Sequence, residues 1–548
     1  MAGHVCRRLI LFLDGTWDED EGDHPATNIV YLRERLFWGL NVRLRHSIAS
    51  QVAGKPNQDA LDYDKRPEEF RKKSVSGLVF DGYEYIVYYD WGVGTGPLLD
   101  RLKGGIMGAG LNRNIRQAYR FLSTWYRPGD QIFVFGFSRG AFTARSLCGY
   151  LGAIGLLRAE QCTAENEERA WRFYRTEPGD RLAGEWSWFN ASGEGGQARV
   201  HDPRYMRVRV LGVFDTVGAL GIPEMPFRRL NRAKYNFHDA DVSSLVDIRL
   251  HALSIDDPRR AFGPTLWTKP KFKLIEPDKS PTEQVWFAGA HSDVGGGYVN
   301  WAAHKKGLSF IPLSWMMQRV NRHGTRIEPV ADTVPDGVTV RPNPKAALPF
   351  YVGDLLDNGT IDAKTQAIGL DEQHKPWALI ELGAGDNHRV INQLSPDAMA
   401  VSATGRVAYA DPICEMVHVS ALERLGKAVT IDRGPLMNGL CWLSRVSKAY
   451  RPLTLTRIIP YLAATYVRNK NVTTPWRVIV RAIFTWKELH VVDWDGNPLS
   501  SADDTQAQRA LDLLPAPAAI GVKEMPEEMM KYILDPRLLP RASSPASP

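Results

Sequence analysis

The stretch from Asp130 to Arg145 limits what this chain can fold into more than any other. Ile132-Phe133-Val134-Phe135 is an apolar run of strand length, and from Ala141 onward the composition favours helix, with no proline for a long way. Between them stands Gly136-Phe137-Ser138-Arg139-Gly140, a G-x-S-x-G pattern. A serine that ends a strand and opens a helix must turn sharply. Side chains two positions away on either side would clash, and Gly136 and Gly140 relieve that crowding. The turn lifts the hydroxyl clear of the backbone and leaves the Arg139 amide at a helix N-terminus, where it can stabilise a developing oxyanion. As a bare pattern this is common by chance; between a buried-type strand and a helix it reads as a nucleophile elbow with Ser138 as nucleophile. The alternative is a structural strand–helix turn.

The flanking chain alternates in the same style. Leu9–Leu13 reads as a buried parallel strand ending in Asp14-Gly15-Thr16-Trp17, and Ala26–Val30 opens a short helix. Gly15 and Thr16 are candidates for the second oxyanion amide; the other reading of that corner is a tight turn capped by Asp14. Tyr85–Tyr89 is a strand of aromatic and β-branched residues running into Gly92-Val93-Gly94-Thr95-Gly96. That run has no P-loop lysine, so it is read as a loop beside the pocket. A helix follows over Gly104–Leu122. Arg207–Phe214 is the next strand, and Asp215 at its C-terminal end is the leading candidate for a triad acid, against a turn-capping role. Ile248–Leu253 is a short strand, and the cluster Asp256-Asp257-Pro258-Arg259-Arg260 after it reads as a structural ion-pair corner. Gln284–Ala290 is the last strong strand, leading to His291, the candidate general base; the order Ser, Asp, His is that of α/β-hydrolases. Two rivals remain. Asp293 could be the acid, or a ligand of a hard cation beside Asp14 and Asp90. His418 could be the base, although its surroundings look like an ordinary helix start.

Composition narrows the classes. With 548 residues the chain has room for two domains or one large domain with insertions. Its 68 basic and 62 acidic residues leave a charge of only +6, so no nucleic-acid partner is expected. Five scattered cysteines without a CxxC pair suggest neither disulfide scaffold nor zinc site, and point to reduced thiols. The apolar run after Arg7-Arg8 is too short for a signal peptide, so synthesis in the cytoplasm is expected, and no run is long enough to span a membrane.

The expected architecture is an α/β-hydrolase-like fold, a mainly parallel sheet flanked by helices, over residues 1–310. It carries insertions at about 45–80 and 156–204, the second lid-like or partner-facing. From 311 to 541 prolines recur and a mostly helical membrane- or partner-facing region is expected. Within it Trp476–Trp486 fits an amphipathic helix for a lipid interface or for its own domain. Residues 542–548 read as a disordered tail.

Six motifs in series resemble one family: Leu-Asp-Gly-Thr-Trp at 13–17, Thr27-Asn28, Gly92–Gly96, Gly-Phe-Ser-Arg-Gly-Ala at 136–141, Phe-Asp-Thr-Val at 214–217 and His-Ser-Asp-Val-Gly-Gly-Gly-Tyr at 291–298. The order is similar to that of the α/β-hydrolase domain of the first family of type VI secretion lipase effectors and its bacterial and fungal relatives. Members studied as effectors cleave acyl esters of glycerophospholipids. The resemblance implies a phospholipid membrane surface as substrate, and Ser138, Asp215 and His291 as nucleophile, acid and base. It also implies delivery by a secretion spike protein to the periplasm of a target cell, and neutralisation by an immunity protein. The 156–204 segment is longer than the family spacing. No cofactor and no metal are expected. The competing functions are a soluble carboxylesterase without membrane role and a catalytically silent hydrolase-fold interaction module.

Overall fold

The computed structural model describes residues 6–15, 26–40, 75–80, 83–90, 106–257 (apart from 177, 193–197, 203–205 and 218–244), 264–267, 282–297, 308–324, 348–350 and short stretches between 368 and 499. Its frame is one large sheet. Seven strands come from the first 290 residues: β1 (Cys6–Leu13), β2 (Val75–Phe80), β3 (Tyr83–Asp90), β4 (Gln131–Phe137), β5 (Val208–Phe214), β6 (Val246–Ser254) and β7 (Thr282–Phe287). Across the sheet they lie in the order β7-β6-β5-β4-β1-β3-β2. All neighbouring pairs from β3 to β7 are parallel; β2 pairs antiparallel with β3 and closes that side.

Each parallel strand is an apolar run because both faces of the sheet are covered. Alternate residues divide between two cores. Ile10, Phe12, Phe133, Phe135 and Phe137 join the helices α1 (Asn28–Leu40) and α7 (Phe310–Gly324) on one face. Leu9, Leu11, Leu13, Ile132 and Val134 join α2 (Ile106–Trp125) and α3 (Arg139–Ile154) on the other. Side chains such as Phe133 and Phe135 are fully buried, and each contributes about 1.5–3 kcal/mol by leaving water.

This topology locates the site. From β1 the chain goes outward to β3, then returns to the other side of β1 for β4 and steps on through β5, β6 and β7. The winding direction therefore reverses between β1 and β4, and ligands of open α/β sheets sit at the carboxyl ends of the strands at such a reversal. Leu13 lies opposite Gly136 and Asp90, and Phe137 lies opposite Phe214. The residues just past these strand ends share one rim.

Two expectations about organisation change. The boundary placed at 310 cuts the fold: α7 begins there and buries Ile311, Leu313, Trp315 and Met316 in the first core. Beyond it the sheet continues, with Glu415–His418 pairing parallel to β7, His490–Val492 parallel to that segment, and Pro498–Leu499 antiparallel at the edge. The described elements after α7 are short strands together with helical Ser420 and Ala421, where the sequence reads as a helix start. The proposed helix at Trp476–Trp486 and the tail at 542–548 lie outside the described residues. The segment 156–204 carries α4 (Ala164–Arg175) and α5 (Ala183–Asn190). It is built onto the later turns of α3: the Tyr174 hydroxyl donates to the Ser146 carbonyl, and the His201 amide to that of Leu156. Those contacts lie away from the Ser138 end of α3, so the described part of this segment, expected to be lid-like or partner-facing, thickens the helical layer. Of 45–80, only β2 lies among the described residues, as a hairpin edge.

Candidate active site

Ser138 stands between β4 and α3 with φ 57° and ψ −119°, a left-handed conformation rare for a side-chain-bearing residue. Its amide extends the ladder to the Phe214 carbonyl at 3.1 Å, and its carbonyl receives the first helical bond from Phe142 at 3.2 Å. The two glycines are required by close approach. A Cβ on Gly136 would lie 2.5 Å from the Gly140 carbonyl oxygen, and one on Gly140 would lie 2.1 Å from that of Leu13. The elbow is thus wedged against the end of β1.

Asp215 occupies the equivalent place after β5, with φ 38°. Among the described residues, Ser138 and Asp215 are the non-glycine residues with positive φ, and backbone strain of this kind gathers at functional sites. The Asp215 carboxylate is fully buried and well bonded. Oδ1 accepts the Ser254 amide at 3.0 Å, and Oδ2 accepts the Ser254 hydroxyl at 3.2 Å and His291 Nδ1 at 2.6 Å. His291 opens α6 (His291–Gly295) just past β7, and its ring lies on that of Phe137, centroids 4.7 Å apart. Asp215 and His291 therefore meet in a hydrogen bond, and Ser138 stands at the end of the neighbouring strand β4 on the same rim. The bond to Asp215 is made by Nδ1, so Nε2 is the ring nitrogen on the side away from the carboxylate.

Asp293, the rival acid, turns its Oδ2 to the Ala290 amide at 2.9 Å. His418, the rival base, is fully buried against the Phe287 ring at 4.8 Å, with Nδ1 on the Ser420 hydroxyl at 2.8 Å, and burial pulls it down to about 3.

Of the oxyanion candidates, Arg139 is the first residue of α3, so its amide is one of the unpaired donors of a helix start. Burial lowers its guanidinium to about 10, leaving it charged at neutral pH. Gly15 lies against the elbow, where an added Cβ would meet that of Ser138 at 3.3 Å. Its amide donates to Asp14 Oδ1 at 2.7 Å, the capped-turn arrangement. Thr16 lies outside the described residues. Asp14 Oδ2 accepts the Thr27 hydroxyl at 2.6 Å and the Tyr89 hydroxyl at 2.9 Å. Burial raises the Asp14 carboxyl to about 6, opposed by these three donors and by Arg33. Among the described residues no three His, Cys, Asp or Glu side chains converge as a metal set.

Sequence reasoning missed the segment after β6. Asp256 and Asp257 are neighbours of the His291 loop: Asp256 Oδ2 accepts the Gly289 amide at 2.6 Å, and Asp257 Oδ2 accepts that of His291 at 3.1 Å. The signal was a carboxylate pair immediately past a strand end, the same kind of position that singled out Asp215.

Residues 7–319 match the family model described as the catalytic domain of Tle1-like phospholipase effectors of the type VI secretion system. An uncharacterized yeast protein, YEL023C of Saccharomyces cerevisiae, is 29% identical over 263 residues, 48% of this chain and 33% of its own, so the chain spans about a third of that relative. Among solved structures, a Tle1 effector bound to the VgrG spike is 18% identical, covering 56% of this chain and 53% of that one at TM-score 0.23. An uncharacterized protein from Pseudomonas aeruginosa is 14% identical, covering 96% and 65% at TM-score 0.28.

Proposed function

This chain belongs to the Tle1-like phospholipase effectors of the type VI secretion system, and on that premise we propose that it is a serine esterase of phospholipase A type. The observation that carries the reading is the 2.6 Å hydrogen bond from His291 Nδ1 to Asp215, on the rim where Ser138 stands on its strained turn. His291 Nε2 takes the Ser138 proton as Oγ attacks the ester carbonyl of a glycerophospholipid. Asp215 holds the imidazole in the required tautomer and stabilises the imidazolium. The Arg139 amide receives the tetrahedral oxyanion, while the Gly15 amide is held by Asp14. Collapse breaks the bond to the glycerol oxygen, and His291 returns the proton to that leaving alkoxide. Water, deprotonated by the same imidazole, then releases the fatty acid and restores the serine.

The same reading makes the protein an antibacterial effector acting on the membrane lipid of a target cell from its periplasm, carried there by a secretion spike protein and held in check by an immunity protein. No helix among the described residues is long and apolar enough to cross a membrane. The test is hydrolysis of phosphatidylethanolamine–phosphatidylglycerol vesicles, with products identified by mass spectrometry. The wild type is expected to yield free fatty acid and lysophospholipid, and Ser138→Ala neither. Hydrolysis surviving in Ser138→Ala would overturn the reading, and a wild type that a fluorophosphonate fails to label would assign the fold to binding.

A further inference from the structure

The mechanism above gives no task to the segment after β6, yet that segment touches both partners of the proton. Ser254 gives its amide to Asp215 Oδ1 and its hydroxyl to Oδ2, the oxygen that also faces His291 Nδ1. The chain then runs beside the His291 loop. Ile255 N donates to the Phe287 carbonyl at 3.0 Å, Asp256 N to that of Gly289 at 2.9 Å, and the Asp256 and Asp257 carboxylates accept the Gly289 and His291 amides. Four residues in a row thus clamp the acid on one side and the backbone of the base on the other. Ser254 is fully buried and Asp257 nearly so, at 3% exposure.

We infer that Ser254 and Asp257 are positioning residues of the Asp215–His291 couple, Asp257 setting the place of the imidazole and Ser254 the strength with which Asp215 holds it. The inference rests on the catalytic reading of that couple. A buried carboxylate at the His291 amide adds negative potential that favours the imidazolium formed during attack. The Ser254 hydroxyl acts the other way, spreading the Asp215 charge over another donor. The two residues therefore have opposite electrostatic signs on one ring. Other described groups near it include Asp215 from the end of β5 and the uncharged Phe137 ring of β4 at the imidazole, with Asp256, and Asp293 of α6, at the Gly289 and Ala290 amides. Asn28 of α1, on the Val294 carbonyl, and the first turn of α7, Phe310-Ile311-Pro312-Leu313, bring no charge.

The full chain is assayed with a short-chain p-nitrophenyl ester from about pH 5 to about pH 9, and its histidines are followed by NMR of labelled ring carbons, with His291→Gln identifying the resonance. Asp257→Asn keeps an acceptor for the His291 amide and removes the charge. The acid limb of kcat/KM and the ring titration are both expected to move down by at least about half a pH unit, with KM within about twofold of wild type. Ser254→Ala is expected to move both upward, and Ser254→Thr, which keeps the hydroxyl, to restore the wild-type midpoint. Midpoints that stay put in Asp257→Asn and Ser254→Ala, or that move in the same direction, overturn the inference even if both variants lose thermal stability. The ring titration needs no turnover, so it reads the clamp separately from the catalytic assignment, whose own failure appears as hydrolysis by Ser138→Ala.

Discussion

Gly140 and the carbonyl of Leu13 leave no room for a single methyl group between them: a Cβ on Gly140 would sit 2.1 Å from that oxygen and 2.5 Å from the carbonyl oxygen of Asp14. Both obstacles are backbone at the end of a central strand, so neither can swing aside. Gly140→Ala is expected to cost at least about 3 kcal/mol of stability, read by chemical denaturation, and to lose fluorophosphonate labelling. Gly184→Ala is the control: it lies in α5 with no heavy atom within 4 Å of its added Cβ. That variant is expected to gain about 0.5–1 kcal/mol. Equal effects at the two positions would remove the steric argument.

The backbone at Ser138 predicts an order of stabilities. Glycine already outranks alanine at a helix N-cap, and at φ 57° and ψ −119° the strain on any residue with a Cβ widens that gap. Ser138→Gly is expected to be more stable than Ser138→Ala by about 1 kcal/mol, both inactive. Denaturation of the two variants side by side decides it, and an alanine variant equal to or above the glycine one would mean the turn is relaxed.

Asp14 gives the fold a pH dependence of known sign. Its carboxyl is raised from 3.8 to about 6, chiefly by burial. Between those values the unfolded chain has released the proton while the folded one keeps it, so stability from this group is present below about pH 4 and lost as pH rises to about 6. Asp130, raised by burial to about 6 beside Arg7, behaves alike. The stability difference between wild type and Asp14→Asn should slope between about pH 4 and about pH 6, by as much as 2–3 kcal/mol in all, and be level above pH 7. A difference that is level throughout would place the Asp14 carboxyl in water.

His418 is expected to serve packing alone. Burial depresses it from 6.5 to about 3, and it does the same to His201. As pH falls below 6.5 the unfolded chain takes up protons that these two rings refuse, so the stability they contribute declines towards about pH 3. His418→Gln should keep turnover within about threefold while losing about 1–3 kcal/mol. Loss of turnover with the fold intact would return His418 to the list of bases.

How much of this was legible beforehand depended on the range of the interaction. The runs at Leu9–Leu13, Tyr85–Tyr89, Ile132–Phe135 and Arg207–Phe214 announce buried strands because covering both faces of a parallel sheet leaves no polar alternation to read. Ser138, Asp215 and His291 followed from strand ends, since parallel strands put all their carboxyl ends on one rim. The carboxylate pair Asp256-Asp257 was visible past its strand end and read as an ion-pair corner, but its partners were not: they are the backbone amides of Gly289 and His291, and an amide carries no residue-type signature. Glu415–His418 was missed for a different reason. Four residues are too few to establish a period, and its strand character comes from pairing with β7.

That distant partner has a practical meaning for anyone shortening the chain. Glu415, Met416 and Val417 pair with Gln284, Val285 and Trp286, and the Glu415 carboxylate accepts the Trp286 indole N–H at 3.0 Å. A fragment stopped at residue 319 would keep the serine, the aspartate and the histidine, yet expose a raw row of peptide groups and an unanswered indole along its flank. Such a flank recruits other molecules edge to edge, so the trimmed fragment would be more prone to clump in the tube than the whole chain.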